Sequence, residues 1–230
     1  LENNASESIT PHLHRLAQDG MWFKKAYAAG DRTDKGLAAI FCGYPSQPLK
    51  GILMDPSKWS ALHQQFLPEA FRKQGYNTNF YYGGDLDFAN IGAFLQFVGF
   101  QKIHSYPNNK NSKWGVNDET MGNLVLNDIQ KLPEPFFASW LMLSSHEPYD
   151  VVGNAHLPEA EKLKLSVQYS DAALGKLVDG LKKSHRYDST VIVVVSDHSK
   201  SVGLPVTEDY EQEFFRIPLI IAGGPIRDMY

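Results

Sequence analysis

The sequence predicts an α/β fold: a mostly parallel central sheet with helices on both faces. Two observations lead there. Amphipathic helical stretches alternate with short apolar runs along nearly the whole chain, a pattern that packs as helices around a parallel sheet. The run Val191–Val195 is five consecutive branched apolar residues, which reads as a strand buried on both faces. That strand ends in Ser196-Asp197-His198, so two metal-ligand residue types stand where open α/β sheets bind ligands.

The elements follow in order. Leu1–Ile9 is polar and aperiodic. Thr10-Pro11 is a helix start, Thr10 capping and Pro11 at the first position. Leu13, Leu16 and Ala17 form the stripe of that helix, and Gly20 stops it. Met21–Ala28 reads as a strand and Thr33–Cys42 as a helix packed through Leu37, Ala38, Ile40 and Phe41. Pro45–Met54 is loop. Lys58–Gln74 reads as a helix with Leu62, Phe66, Leu67, Ala70 and Phe71 on one side. Asn77–Tyr82 is a strand, followed by the Gly83-Gly84-Asp85 loop. Ala89–Val98 is a short helix leading to a short strand near Ile103.

Ser105–Gly115 is a polar loop, and Asp118 is placed to cap a helix over Glu119–Lys131. Phe136–Leu143 is an apolar strand running into Ser144-Ser145-His146-Glu147-Pro148. Asp150–Pro158 is loop, Glu159–Ser184 the longest helix, Ser199–Gln212 a polar loop, and Ile217–Ala222 the last strand.

Composition narrows the class. The chain has 230 residues, with 43% hydrophobic and 21% charged content, ordinary for one globular domain spanning residues 1–230. A net charge of -4 argues against nucleic acid as a partner. The single cysteine, Cys42, permits no internal disulfide. No apolar run reaches the roughly 18 residues of a membrane span, and no signal peptide is visible. Leu1 in place of Met reads as the start of an excised piece.

Site chemistry rests on convergence. Residues after several strands meet at one edge of a doubly wound sheet, which brings together the Gly83–Asp85 loop, His146 and Asp197-His198. Thr33 is expected at a helix N-terminus, whose positive end favours an alkoxide or a phosphoryl group. A threonine hydroxyl is a weak nucleophile unless activated, and metal coordination is one way. Asp197 and His198 offer an oxygen and a nitrogen ligand for such an ion. Taken alone, Thr33 reads equally as a plain helix cap.

The joint pattern resembles a known family. The segments are T-P-H-L-H-R-L-A at Thr10, G-D-R-T-D-K-G-L-A-A-I-F-C-G-Y-P at Gly30, Y-Y-G-G-D-L-D-F-A-N at Tyr81, S-K-W-G-V-N-D at Ser112, S-S-H-E-P-Y at Ser144 and V-V-S-D-H at Val194. In order and spacing they resemble the sulfatase-fold domains of the alkaline phosphatase superfamily, most like the lipoteichoic acid synthase and phosphoglycerol transferase group. The resemblance implies Thr33 as nucleophile and metal ligand, Asp197 and His198 as further ligands, and His146 as a substrate-phosphate contact. It also implies Asp85 and Asn90 as headgroup contacts. Trp114, inside a matched loop, either stacks on substrate or packs structurally.

Two departures stand out. The family's first metal ligand is a glutamate after an apolar strand upstream of the T-P segment. Glu2 and Glu7 are too close to Thr10 for that spacing. The first strand is therefore expected to lie outside these residues or to have been lost, which would leave mid-sheet strands exposed or filled by another segment. Ser199-Lys200 replaces the glycine that usually follows the Asp-His pair, and Lys200 reads as solvated.

By resemblance the domain is a metal-dependent phosphotransferase or phosphodiesterase acting on a phospholipid headgroup. Mn²⁺ is the first choice for this donor set, with Mg²⁺ and Zn²⁺ behind it. The parent chain is expected to be membrane-anchored, with this domain outside the cytoplasm. The alternatives are a sulfuric or phosphate ester hydrolase and a non-catalytic headgroup-binding relative. Cys42-Gly43-Tyr44-Pro45-Ser46 lacks the spacing and arginine of a formylglycine segment, so Cys42 reads as a packing residue. His12, His14, His63, His104, His156 and His185 read as ordinary surface or packing histidines.

Overall fold

A computed structural model describes residues 9–45, 51–62, 65–107, 113–151, 156–199 and 211–227. The sheet at its centre has strand order β4-β3-β5 and is parallel throughout. β3 is Asn77–Tyr82, β4 Lys102–Ser105 and β5 Phe136–Leu141. Side chains of β3 alternate between two cores, as a period of 2 requires. Phe80 and Tyr82 join one core with Leu37, Phe41, Phe94 and Leu95. Tyr81 joins the other with Leu16, Met121, Val125 and Leu174. Helices α2 (Thr33–Cys42) and α4 (Ile91–Phe97) therefore cover one face, and α1 (Pro11–Gln18), α5 (Asp118–Ile129) and α6 (Glu159–Lys183) the other. This is the expected α/β arrangement, and α2 has the expected bounds.

The remaining strands are antiparallel. β6 (Val191–Val195) pairs with β8 (Leu219–Gly223), which pairs in turn with β1 (Met21–Trp22). β2 (Ala26–Tyr27) pairs with β7 (Arg216–Ile217). The single strand read over Met21–Ala28 is thus two short ones that serve different partners. Burial of β6 on both faces does not hold. Ile192 and Val194 pack on the core with Leu16 and Tyr81, while Val191 and Val193 on the opposite face are 50% and 55% exposed, so only one face of β6 is covered. β5 has β3 as its single strand partner among the described residues.

Three helix readings change, each for a local reason. Lys58–Gln74 is not one helix. A 3₁₀ turn covers Pro56–Ala61, and α3 (Leu67–Lys73) begins afresh with Pro68 in its first turn, where the missing N–H is harmless. Thr10 makes no side-chain cap. The Asp171 carboxylate of α6 instead accepts His12 N at 2.9 Å and Leu13 N at 2.8 Å. At α5 the cap is Asn117, whose side chain accepts Thr120 N at 3.0 Å, which frees Asp118 for the interior. A final turn, α7, spans Gly224–Arg227.

Candidate active site

Thr33 is the first residue of α2, with Arg32 at the cap position. The plain-cap reading of Thr33 therefore fails, because Thr33 lies inside the helix and Arg32 occupies the cap position. The Thr33 hydroxyl stands 3.5 Å from His198 Nε2. His198 is oriented from behind. Its Nδ1 lies 2.9 Å from the Ser199 carbonyl, which can only accept, so Nδ1 carries the proton and Nε2 faces Thr33. Such a backing contact is the usual way a ligating imidazole is aimed. Asp197 Oδ2 lies 3.8 Å from Nε2. The Ser196 hydroxyl donates to the His198 carbonyl at 2.6 Å and closes the loop.

The three donor atoms suit one divalent ion. Bonds of about 2.1 Å in tetrahedral geometry separate ligand atoms by about 3.4 Å. A hydroxyl, a carboxylate and an imidazole match Mn²⁺, Mg²⁺ or Zn²⁺ in donor type. Among the described residues, no cluster of three or more His, Cys, Asp or Glu forms a metal site. The Thr33 hydroxyl could add a third donor beside Asp197 and His198.

Close packing makes the convergence possible. A side-chain carbon at Gly36 would stand 2.3 Å from the Asp197 carbonyl oxygen. Only glycine lets the first turn of α2 rest against the Asp197 backbone.

The second half of the site follows β5. His146 Nδ1 lies 2.8 Å from the Glu147 carbonyl. Trp114 Nε1 donates to the same carbonyl at 2.5 Å, and its ring meets the His146 ring edge-on at 4.8 Å. Trp114 and His146 line one shallow recess with Asn117, Ser144 and Asp150. Trp114 thus packs on His146, which is the structural one of the two readings the sequence left open.

Glycines connect the halves. Gly115 lies against the Gly83 carbonyl, and Gly84 against the Tyr82 ring. Tyr82 is buried. Burial first, and then the nearby charges of Asp85 and Asp197, push its phenol up to about 12. Asp85 is exposed and accepts Asp87 N at 2.9 Å. Asn90 has φ 59° and donates its amide to the Leu53 carbonyl in the 3₁₀ turn Ile52–Met54 at 3.3 Å. Lys200 lies outside the described residues.

Sequence reasoning missed Tyr82, Gly36, Asp118 and Ser144. Tyr82 and Gly36 read as core and helix residues until the edge assembles. Asp118 read as a cap because it stands one residue from the true one. His104, read as ordinary, stacks on Tyr81 at 4.6 Å and lies 3.4 Å from Asn79 Oδ1.

A family model described as Sulfatase matches residues 2–227. The chain belongs to the sulfatase family. Phosphoglycerol transferase I of Xanthomonas campestris pv. campestris is 28% identical over 221 residues, which is 83% of this chain and 30% of that protein. Lipoteichoic acid synthase 2 of Bacillus subtilis is 22% identical over 249 residues, 96% of this chain and 38% of that protein. The chain thus spans about a third of the length of these sulfatase-family relatives. The structure of a protein in the alkaline phosphatase superfamily from Vibrio parahaemolyticus superposes with a TM-score of 0.81 at 31% identity, covering 95% of this chain and 55% of that one. The sulfatase-family chain therefore has the alkaline phosphatase superfamily fold that its motifs resemble.

Proposed function

We propose that this domain transfers a phosphoglycerol-type group from a phospholipid headgroup such as phosphatidylglycerol, with Thr33 as nucleophile. The observation that carries the reading is the approach of Thr33 Oγ1 to His198 Nε2 at 3.5 Å, at the start of α2. The names of the relatives, phosphoglycerol transferase and lipoteichoic acid synthase, support the same class.

Thr33 Oγ attacks phosphorus and gives up its proton to solvent. The Oγ–P bond forms, the bond from phosphorus to the diacylglycerol oxygen breaks, and that oxygen takes up a proton. A glycan hydroxyl or water then attacks phosphorus and returns Thr33 to its free form. A divalent ion held by Thr33, Asp197 and His198, Mn²⁺ first, would lower the hydroxyl pKa and offset charge on the phosphoryl oxygens. The positive end of α2 acts in the same direction. His146 donates to a phosphoryl oxygen, while Asp85, Asn90 and Trp114 border the headgroup.

The parent protein is membrane-anchored in this reading, with the domain outside the cytoplasm. No helix among the described residues is long and apolar enough to cross a membrane. Sulfate-ester hydrolysis through Cys42 is disfavoured, because Cys42 is buried in the apolar core with Leu37 and Phe41.

The test is covalent trapping. Intact protein is incubated with Mn²⁺ and phosphatidylglycerol vesicles, quenched in acid and digested. A glycerol phosphate adduct on the Thr33 peptide is expected. Diacylglycerol release with no adduct on Thr33 would overturn the nucleophile. Headgroup binding with neither release nor adduct would favour the non-catalytic alternative.

A further inference from the structure

The turn that carries His146 is gripped at both ends by one short segment, 114–118. At one end Trp114 Nε1 holds the Glu147 carbonyl. At the other, the Asp118 carboxylate accepts Leu143 N at 2.7 Å and Ser144 N at 3.1 Å. Asp118 N donates back to Ser144 Oγ at 2.9 Å. Between these grips, His146 N bonds the Leu143 carbonyl at 2.9 Å, so Leu143 is the first residue of the turn that presents the imidazole. One further bond leaves the turn: Ser170 Oγ of α6 donates to Asp118 Oδ2 at 2.7 Å.

Asp118 is 0% exposed, and among the described residues no cation pairs with it. A buried carboxylate satisfied only by hydrogen bonds is costly unless every one is made. Burial pushes its carboxyl up, and the bonds from Leu143, Ser170 and Ser144 oppose that rise. An apolar residue could fill the volume, but it could not hold two adjacent backbone N–H groups.

We propose that Asp118 is a positioning residue for His146: its carboxylate fixes the Leu143–His146 turn so that the imidazole meets the substrate phosphate. This rests on the phosphate-binding role given to His146 above. A merely structural Asp118 would staple α5 to α6 and β5 without setting His146. The bonds separate the two roles, because Ser170 ties Asp118 to α6 and touches no atom of the turn in these contacts. Asp118→Asn keeps one carbonyl oxygen, so either Leu143 N or Ser144 N loses its acceptor. Ser170→Ala leaves both in place.

The experiment measures turnover of a chromogenic phosphodiester by the intact protein with Mn²⁺, and imidazole NMR on the chelator-treated intact protein, free of paramagnetic Mn²⁺, in which the His146 resonance is assigned by His146→Gln. Asp118→Asn should raise KM about tenfold, on the scale that small misplacements of site groups produce, with kcat changed much less, and should move the His146 resonance. Ser170→Ala should lower the thermal midpoint while leaving both readouts unchanged. In the His146→Gln background, Asp118→Asn should add no further rise in KM. Equal KM changes in Asp118→Asn and Ser170→Ala, or a His146 resonance unmoved in Asp118→Asn, would overturn the proposal. If Asp118→Asn does not fold, Ser144→Ala removes one bond of the same turn: a several-fold rise in KM is expected, and an unchanged KM counts against the role. If the wild-type protein turns over no phosphodiester, the functional reading fails, while the His146 resonance still decides whether Asp118 sets the imidazole.

Discussion

His198 Nε2 faces Thr33 Oγ1 at 3.5 Å although 165 residues separate the two in the chain. Neither side chain reaches this position by local structure alone. Thr33 is set by the first turn of α2, and His198 by a loop whose carbonyl at Ser199 turns the ring.

The first prediction concerns Thr33. Thr33→Ala should abolish turnover, because no neighbouring atom can form the covalent bond in its place. Its effect on stability should be small, since Thr33 lies inside the helix and not at its cap; loss of a working cap would cost about 1 kcal/mol. Thr33→Ser should retain substantial activity. Phosphodiester turnover and urea midpoints of the three proteins check this. Normal turnover in Thr33→Ala with saturating Mn²⁺ would remove Thr33 from the mechanism.

Gly36 gives a second, independent test of the same convergence. A methyl group there would meet the Asp197 carbonyl oxygen at 2.3 Å, and backbone on both sides leaves little room to yield. Gly36→Ala should therefore displace the start of α2 from the Asp197-His198 loop. A shift of about 1 Å at a reacting group costs about 100-fold in rate. Helix propensity alone predicts the opposite sign, since alanine favours a helix interior by about 1 kcal/mol over glycine. A Gly36→Ala protein that is both more stable and fully active would contradict the packing.

The contrast with the sequence is instructive at these positions. Thr33–Cys42 was legible as a helix because its apolar spacing and the Gly43 stop are local signals. So was β3, as a strand ending in glycines. The facing of Thr33 and His198 was legible only through the joint order of the motifs, because nothing in either segment encodes its partner. β6 misled for a related reason. Five branched apolar residues signal burial on both faces, yet only the face of Ile192 and Val194 is covered, while Val191 and Val193 stand exposed. Asp118 was misread because capping residues and buried acceptors share one residue type, and only the fold brings Leu143 and Ser144 to its carboxylate.

Metal dependence gives the third prediction. With Thr33, Asp197 and His198 as the ligand set, a chelator should abolish turnover and Mn²⁺ should restore it. Asp197→Asn keeps the shape of the side chain but loses its charge, so metal affinity should fall by at least about tenfold, within the range seen when metal-site groups are altered. Calorimetric titration of the chelator-treated protein measures this apart from activity. Equal Mn²⁺ affinity in wild type and Asp197→Asn would exclude Asp197 as a ligand.

The last prediction concerns alkaline pH. Burial, and then the charges of Asp85 and Asp197, raise the Tyr82 phenol to about 12. Burial, and then the charge of Glu119, raise Tyr169 to about 12 as well. An unfolded tyrosine gives up its proton near pH 10. Below that pH both states hold the proton, and the stabilisation is fully present. Between about 10 and 12 the unfolded chain holds fewer protons than the folded one, so stability falls as pH rises through the window. Tyr82→Phe removes one of these groups and should make the decline shallower by about one proton. Urea midpoints of chelator-treated wild type and Tyr82→Phe at pH 8, 10 and 11 read the slopes directly. Parallel slopes would mean that the Tyr82 phenol titrates alike in both states.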